Sequence, residues 1–215
     1  MIARIAVGAL AANCWILPIG SDGSCLLVDP GAEADRILGF LDGHRLVPSL
    51  VVCTHGHFDH VCAIGPLREV YASRGIALPV AIHRDDSGYL GDGGEARNRR
   101  LLESMGGDYF DGLWTPVPQA DILLEEGSTL PDTSWFVIHT PGHSKGSICL
   151  YDETRGLLVS GDTLFRDGVG RTDGFDGSAE ELRQSIVSKL FPLPSETKVF
   201  PGHGARTTIG RERGY

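Results

Sequence analysis

Three histidines and one carboxylate fall within six residues at His55-Gly56-His57-Phe58-Asp59-His60, directly after the apolar run 51–54. A strand end can hold such side chains rigidly, and a glycine between them lets the backbone bend tightly. Histidines two apart on an extended segment, here His55 and His57, can point to the same cation. Asp59 and His60, at the start of a following helix, can face a second one. Imidazole and carboxylate together suit zinc, iron or manganese.

The same local form recurs. His143 lies in Thr140-Pro141-Gly142-His143-Ser144, Asp162 in Ser160-Gly161-Asp162-Thr163, and His203 in Phe200-Pro201-Gly202-His203-Gly204. Each follows a β-rich stretch and a glycine. Strand ends that deliver ligands to one edge are what a shared metal site requires. His44, His83 and His139 lack this setting and read as surface or packing residues, with His83 nearest the cleft.

Alternation and β-branched runs predict strands at 2–8, 13–17, 25–28, 51–54, 80–83, 122–124, 135–140, 147–151, 157–160 and 198–200. Helical spacing predicts helices at 33–41, 59–74 and 179–190, with short ones near 85–90 and 95–105. The glycine-rich stretch from Arg84 to Pro118 reads as a variable cover over the site. Strands interspersed with helices indicate a mixed α/β architecture. The length, 215 residues, suits one domain over 1–215.

Nineteen Lys and Arg against 28 Asp and Glu give a net charge of −9, which argues against broad nucleic-acid binding. The basic run Arg97 to Arg100 reads as a solvated helix face. Five scattered cysteines, none spaced C-x-x-C, exclude a disulfide framework and a thiolate zinc knot, and fit a reducing cytoplasm. The apolar segment 5–19 is too short to span a bilayer and reads as two strands, so no membrane partner is expected. The sequence leaves the oligomeric state open.

The run His55-x-His57-x-Asp59-His60, with His143, Asp162 and His203 following in order, resembles the metallo-β-lactamase superfamily along nearly the whole chain. The resemblance implies an αββα sandwich with metals at one edge. It implies that His55, His57 and His143 hold one cation, that Asp59, His60 and His203 hold another, and that Asp162 bridges them with a hydroxide. Two divalent ions are implied, zinc first among them, with Asp59 orienting the hydroxide or handling its proton.

Within that superfamily the segments Ser160-Gly161-Asp162-Thr163-Leu164-Phe165 and Gly168-x-Gly170-Arg171-Thr172-Asp173, and the ending 200–213, look like a small bacterial branch of glyoxalase II-type hydrolases. The implied substrate is a small-molecule thioester of the hydroxyacyl-glutathione kind. Arg171 could bind a substrate carboxylate or form a structural salt bridge. The C-terminal helical domain of full-size glyoxalase II has no counterpart after His203, which leaves the thiol carrier open. Gly170-Arg171-Thr172-Asp173-Gly174-Phe175 also approximates a segment of iron-dependent persulfide dioxygenases. A phosphodiesterase, a lactonase or a non-catalytic metal-binding protein of the same fold are the other readings.

Overall fold

The structure is a computed structural model that describes residues 2–107 and 112–213. Strands β1 (Ala3–Val7), β2 (Ala12–Pro18), β3 (Ser24–Val28), β4 (Val47–Cys53), β5 (Val80–His83) and β6 (Ile122–Leu124) form one sheet in that order. Its first three strands are antiparallel, and β3 to β6 run parallel. The second sheet is built from β7 (Phe136–His139), β8 (Ile148–Asp152), β9 (Leu157–Gly161), β12 (Lys198–Pro201) and β13 (Thr207–Thr208). A small hairpin, β10 (Leu164–Phe165) and β11 (Gly168–Val169), stands apart from both.

The central strands are apolar without interruption because both of their faces are covered. Trp15, Leu17, Leu26, Val28, Leu50 and Val52 point to the second sheet and meet Val137, Ile148, Leu150, Val159 and Phe200. Their neighbours Cys14, Ile16, Cys25, Leu27, Val51 and Cys53 point the other way. These pack against α1 (Ala34–Gly43) and α3 (Ile64–Ser73) through Ile37, Leu41, Ile64, Leu67 and Tyr71. On the outer face of the second sheet, Cys149, Leu158 and Val199 pack against Leu182 of α5 (Ala179–Ser185) and Ile186 and Leu190 beyond it. The result is the expected αββα sandwich. All five cysteines are buried free thiols.

The expected helix at 59–74 is two pieces, α2 (Phe58–Val61) and α3. Pro66 has no N–H to give the Cys62 carbonyl, which suits it to the first turn of a new helix, where α3 holds it, rather than to the interior of a continuous one. Ala63 instead donates its N–H to Pro30 O, 3.0 Å away. The expected helix at 179–190 loosens after Ser185 into a π-type turn over Ile186–Leu190.

The stretch 84–118 differs from a mere cover. Two 3-10 turns, Arg84–Tyr89 and Gly91–Gly93, lead into α4 (Gly94–Ser104), and Asp86, Tyr89 and Asn98 are fully buried. Arg97 is not solvated as expected: its guanidinium lies over the Tyr89 ring and 3.3 Å from buried Asp176, while Arg100 lies over Phe175. Residues 108–111 of this stretch lie outside the described residues. No helix among the described residues is long and apolar enough to cross a membrane.

Candidate metal centre

Strands β7, β9 and β12 run in one direction, since β8 is antiparallel to both β7 and β9 while β12 is parallel to β9. Their C-terminal ends therefore share an edge. The C-terminal end of β4 is drawn to the same edge by Ile148 N–H on Thr54 O at 2.8 Å. The loops after these four strands carry His143, Asp162, His203 and the His55–His60 run. All seven residues expected from the sequence converge there.

They fall into two groups. Nitrogens of His55, His57 and His143 lie within 4.8 Å of one another, and so do the ligand atoms of Asp59, His60 and His203. Asp162 sits between the groups: one oxygen is 3.6 Å from His60 Nε2, and the other is 3.6 Å from His143 Nε2 and 3.5 Å from His203 Nε2.

The ring orientations are fixed from behind. His143 Nδ1 lies 2.7 Å from Arg171 O and His203 Nδ1 3.1 Å from Leu10 O, and a carbonyl can only accept. His60 Nδ1 lies 3.1 Å from the Asp29 carboxylate. Thr54 donates its hydroxyl to Asp29 at 2.7 Å, so at 3.1 Å it accepts from His55 Nδ1. Each Nδ1 thus carries a hydrogen, and each ring turns its Nε2 inward. Those Nε2 atoms face each other at 3.3 Å between His55 and His143 and at 3.2 Å between His60 and His203. Facing lone pairs repel unless a cation or a proton lies among them. His57 Nε2 and Asp162 Oδ1 are also buried without a partner. Five imidazoles, four of them preset at Nδ1, and two carboxylates converging in this way fit divalent cations.

The charge balance of the cation-free chain points the same way. Burial pulls His60 down, but the Asp59, Asp162 and Asp29 carboxylates push it up to about 10. His203, though partly desolvated, is raised by Asp59 and Asp162. Burial and the neighbouring histidines hold His55 and His57 well below the ordinary value. Asp59, despite burial, is kept well below the usual carboxylate range by His60 and His203. The carboxylate-rich half demands positive charge, and in the cation-free chain protons supply it.

Two glycine positions explain the tightness. At Gly202 an added Cβ would lie 2.1 Å from Asp162 Oδ1, so a side chain there would fill the centre. At Gly56 the backbone is not in the left-handed region; a Cβ would lie 2.2 Å from Tyr89 Cβ and 2.7 Å from its ring. The requirement at Gly56 is therefore close packing, not the bend the sequence suggested. Gly142 and Gly161 do have positive φ, 137° and 47°, as a sharp turn requires.

Sequence reasoning missed three supporting residues. Asp29 is fully buried and also accepts Thr54 N–H at 2.7 Å. Its oxygens are committed to Thr54 and His60, which makes it an orienting group. Asp86 and Asn98 are the others. Asp86 accepts from Gly56 N, Ser144 Oγ and Gly146 N. The signal for Asp29 was present, an acid at a strand end like the ligands; Asp86 and Asn98 carried none.

Arg171 reaches the cleft edge with its guanidinium paired to Asp173 at 3.0 and 2.6 Å. His83 and His139, expected to be surface or packing residues, stack at 4.0 Å across the two sheets. Their planes are 14° apart, so the rings cannot both aim at one cation. His44 stacks on Phe40, a packing role as expected. A cleft of about 310 Å³ opens over the centre, walled by Leu10, Phe58, Leu101, Leu102, Met105 and Phe165.

Comparison with known proteins adds the ancestry. The profile of the Metallo-beta-lactamase superfamily matches residues 7–203. The chain belongs to this superfamily. Among solved structures, the BLEG-1 B3 metallo-beta-lactamase is 34% identical with a TM-score of 0.85, covering 100% of this chain and 97% of that one. TTHA1623 in a di-iron-bound form is 34% identical with a TM-score of 0.80, covering 98% and 96%. Hydroxyacylglutathione hydrolase GloC of Haemophilus influenzae is 30% identical over 97% of this chain and 93% of its own length. Superfamily membership and the His/Asp clusters together make this a metal-dependent hydrolase by lineage and by donor set.

Proposed function

We propose that the chain is a dinuclear hydrolase of small thioesters of the hydroxyacyl-glutathione kind. In this reading His55, His57 and His143 hold one divalent cation, Asp59, His60 and His203 hold the second, and Asp162 joins them. The observation that carries it is the pair of inward-facing Nε2 sets with Asp162 between them. The donors are nitrogen and oxygen with no thiolate, so zinc, iron and manganese all suit them; zinc is the first expectation.

When bound, a pair of such cations supplies a nucleophile from water at neutral pH and polarises the attacked carbonyl. The chain's own residues do the rest. Asp59, with Oδ2 3.3 Å from His203 Nε2 and its carboxyl held well below the usual range, would orient the attacking water at the cleft floor. The apolar walls Phe58, Leu102, Met105 and Phe165 exclude water and pack the chain on either side of the scissile bond. Arg171 at the rim is the anchor for a substrate carboxylate, which would compete with Asp173 for its guanidinium. A thiolate leaves without a strong general acid, so the centre need not supply one.

The likeness to GloC favours a thioester, and BLEG-1 makes a β-lactam the main competitor. The test is a panel of S-lactoylglutathione, other acyl thioesters, a lactone, a β-lactam, a phosphodiester and glutathione persulfide. Thioester turnover at least ten-fold above the rest is expected. Oxygen uptake with the persulfide and one iron per chain, or faster lactam or phosphodiester cleavage, would overturn the reading.

A further inference from the structure

The first cation's proposed ligands come from both halves of the chain. His55 and His57 follow β4 of the first sheet, and His143 follows β7 of the second. Their rings meet at 3.3 Å between His55 and His143 Nε2. Two loops on separate sheets need a common anchor to keep such a distance.

Asp86 supplies one. It stands just after β5, in the 3-10 turn Arg84–Tyr89, and is fully buried. Oδ2 accepts Gly56 N–H, the peptide between His55 and His57, at 3.1 Å. The same oxygen accepts the Ser144 hydroxyl, next to His143, at 2.7 Å. Oδ1 accepts Gly146 N–H at 2.7 Å. A single carboxylate therefore ties the two ligand loops together. On the next peptide, between Gly56 and His57, Asn98 Nδ2 donates to Gly56 O at 3.3 Å, and it also donates to Gly94 O at 3.1 Å. The His55–His57 link is thus clamped at both its N–H and its C=O.

The packing leaves no room for another arrangement. A Cβ on Gly146 would lie 2.5 Å from Asp86 N and 2.7 Å from Asp86 Cγ. Asp29 bonds His60 of the second group directly and reaches His55 of the first only through the Thr54 hydroxyl. Asp86, by contrast, bonds the two loops of the first group themselves.

We propose that Asp86 is a positioning residue for the first cation alone, holding the His55–His57 loop and the His143 loop in register by bonding Gly56, Ser144 and Gly146 at once. This rests on the ligand sets proposed above. Outer groups that hold metal ligands typically contribute about 10–100-fold in metal affinity.

The test has two arms. In the first, zinc is titrated into chelator-stripped wild type, Asp86→Ala, Asp86→Asn, His143→Ala, His203→Ala and the double variants. Asp86→Ala should weaken one binding event about 10–100-fold and leave the other within about three-fold. Its effect should vanish in a His143→Ala background and persist in full in a His203→Ala background. Asp86→Asn keeps an acceptor for one glycine N–H, so its loss should be smaller. Equal weakening of both events, or full additivity with His143→Ala, would overturn the proposal.

The second arm needs no cation. In the stripped chain, amide exchange should speed up at both Gly56 and Gly146 in Asp86→Ala and at one of the two in Asp86→Asn, with Thr54 N–H, held by Asp29, unchanged. Unchanged protection at the two glycines, or loss at all three amides, would overturn it. A wild type that takes up one zinc only would fault the dinuclear reading, and the exchange arm would still decide the role of Asp86.

Discussion

Gly202→Ala adds one methyl group at the most crowded point of the centre. Its Cβ would lie 2.1 Å from Asp162 Oδ1 and 3.0 Å from both Gly161 C and His60 Cε1, where ordinary contact begins at 3.4 Å. The carboxylate must retreat by about 1.3 Å, the difference of the first and last of these distances. It cannot retreat freely, because Asp162 follows Gly161 at φ 47° and Gly202 N–H is bonded to Gly161 O at 2.8 Å. Misplacement of a reacting group by about 1 Å costs on the order of 100-fold in rate. Overpacking a full site costs about 1–3 kcal/mol of stability. The expected variant is folded, with thioester turnover reduced about 100-fold and fewer than two zinc ions per chain. Turnover and metal content can be read by absorbance of the released thiol and by elemental analysis, with thermal unfolding as the check on folding. A folded Gly202→Ala chain with wild-type turnover and two zinc ions would refute the placement of Asp162 in the centre.

Other variants probe separate parts of the account. His57→Ala should abolish thioester hydrolysis while circular dichroism stays native, because its Nε2 has no structural partner to lose; undiminished turnover would count against its role. Asp29→Ala leaves buried Thr54 N–H unbonded, so stability should fall by about 1–3 kcal/mol in denaturant titration. Stripping the cations with a chelator should lower the unfolding temperature, and restoring zinc should raise it in a concentration-dependent way. Burial and His139 hold His83 below its ordinary value, against the upward pull of Asp85 and Glu125. A folded value below the unfolded one means the unfolded chain takes the proton first. That contribution is therefore complete above about pH 6.5 and lost as pH falls through the folded value. His83→Asn should flatten the fall in stability between about pH 6.5 and 5; an unchanged slope would contradict it.

The candidate set was legible in the sequence because its members either cluster at one strand end, at 55–60, or stand at a strand end beside a glycine, at 143, 162 and 203, a pattern that packing by itself does not produce. The strands were legible because burial on both faces makes them continuous apolar runs, as in Leu26–Val28 and Leu50–Val52. The supports were less legible. Asp86 and Asn98 act through backbone groups of residues far away in the chain, at Gly56 and Gly146, and nothing local marks such a role. Arg97 looked solvated because its partners Tyr89, Phe175 and Asp176 lie off its own helix. The hairpin Leu164–Val169 and the one-turn helix α6 (Ile209–Glu212) are too short for any periodicity to show.

Anomalous diffraction from crystals grown with zinc addresses the central claim most directly. Two peaks are predicted, one bounded by the rings of positions 55, 57 and 143 and one by the side chains of 59, 60 and 203, with the carboxylate of 162 touching both. One peak alone, or density elsewhere on the chain with this pocket empty, would contradict the account.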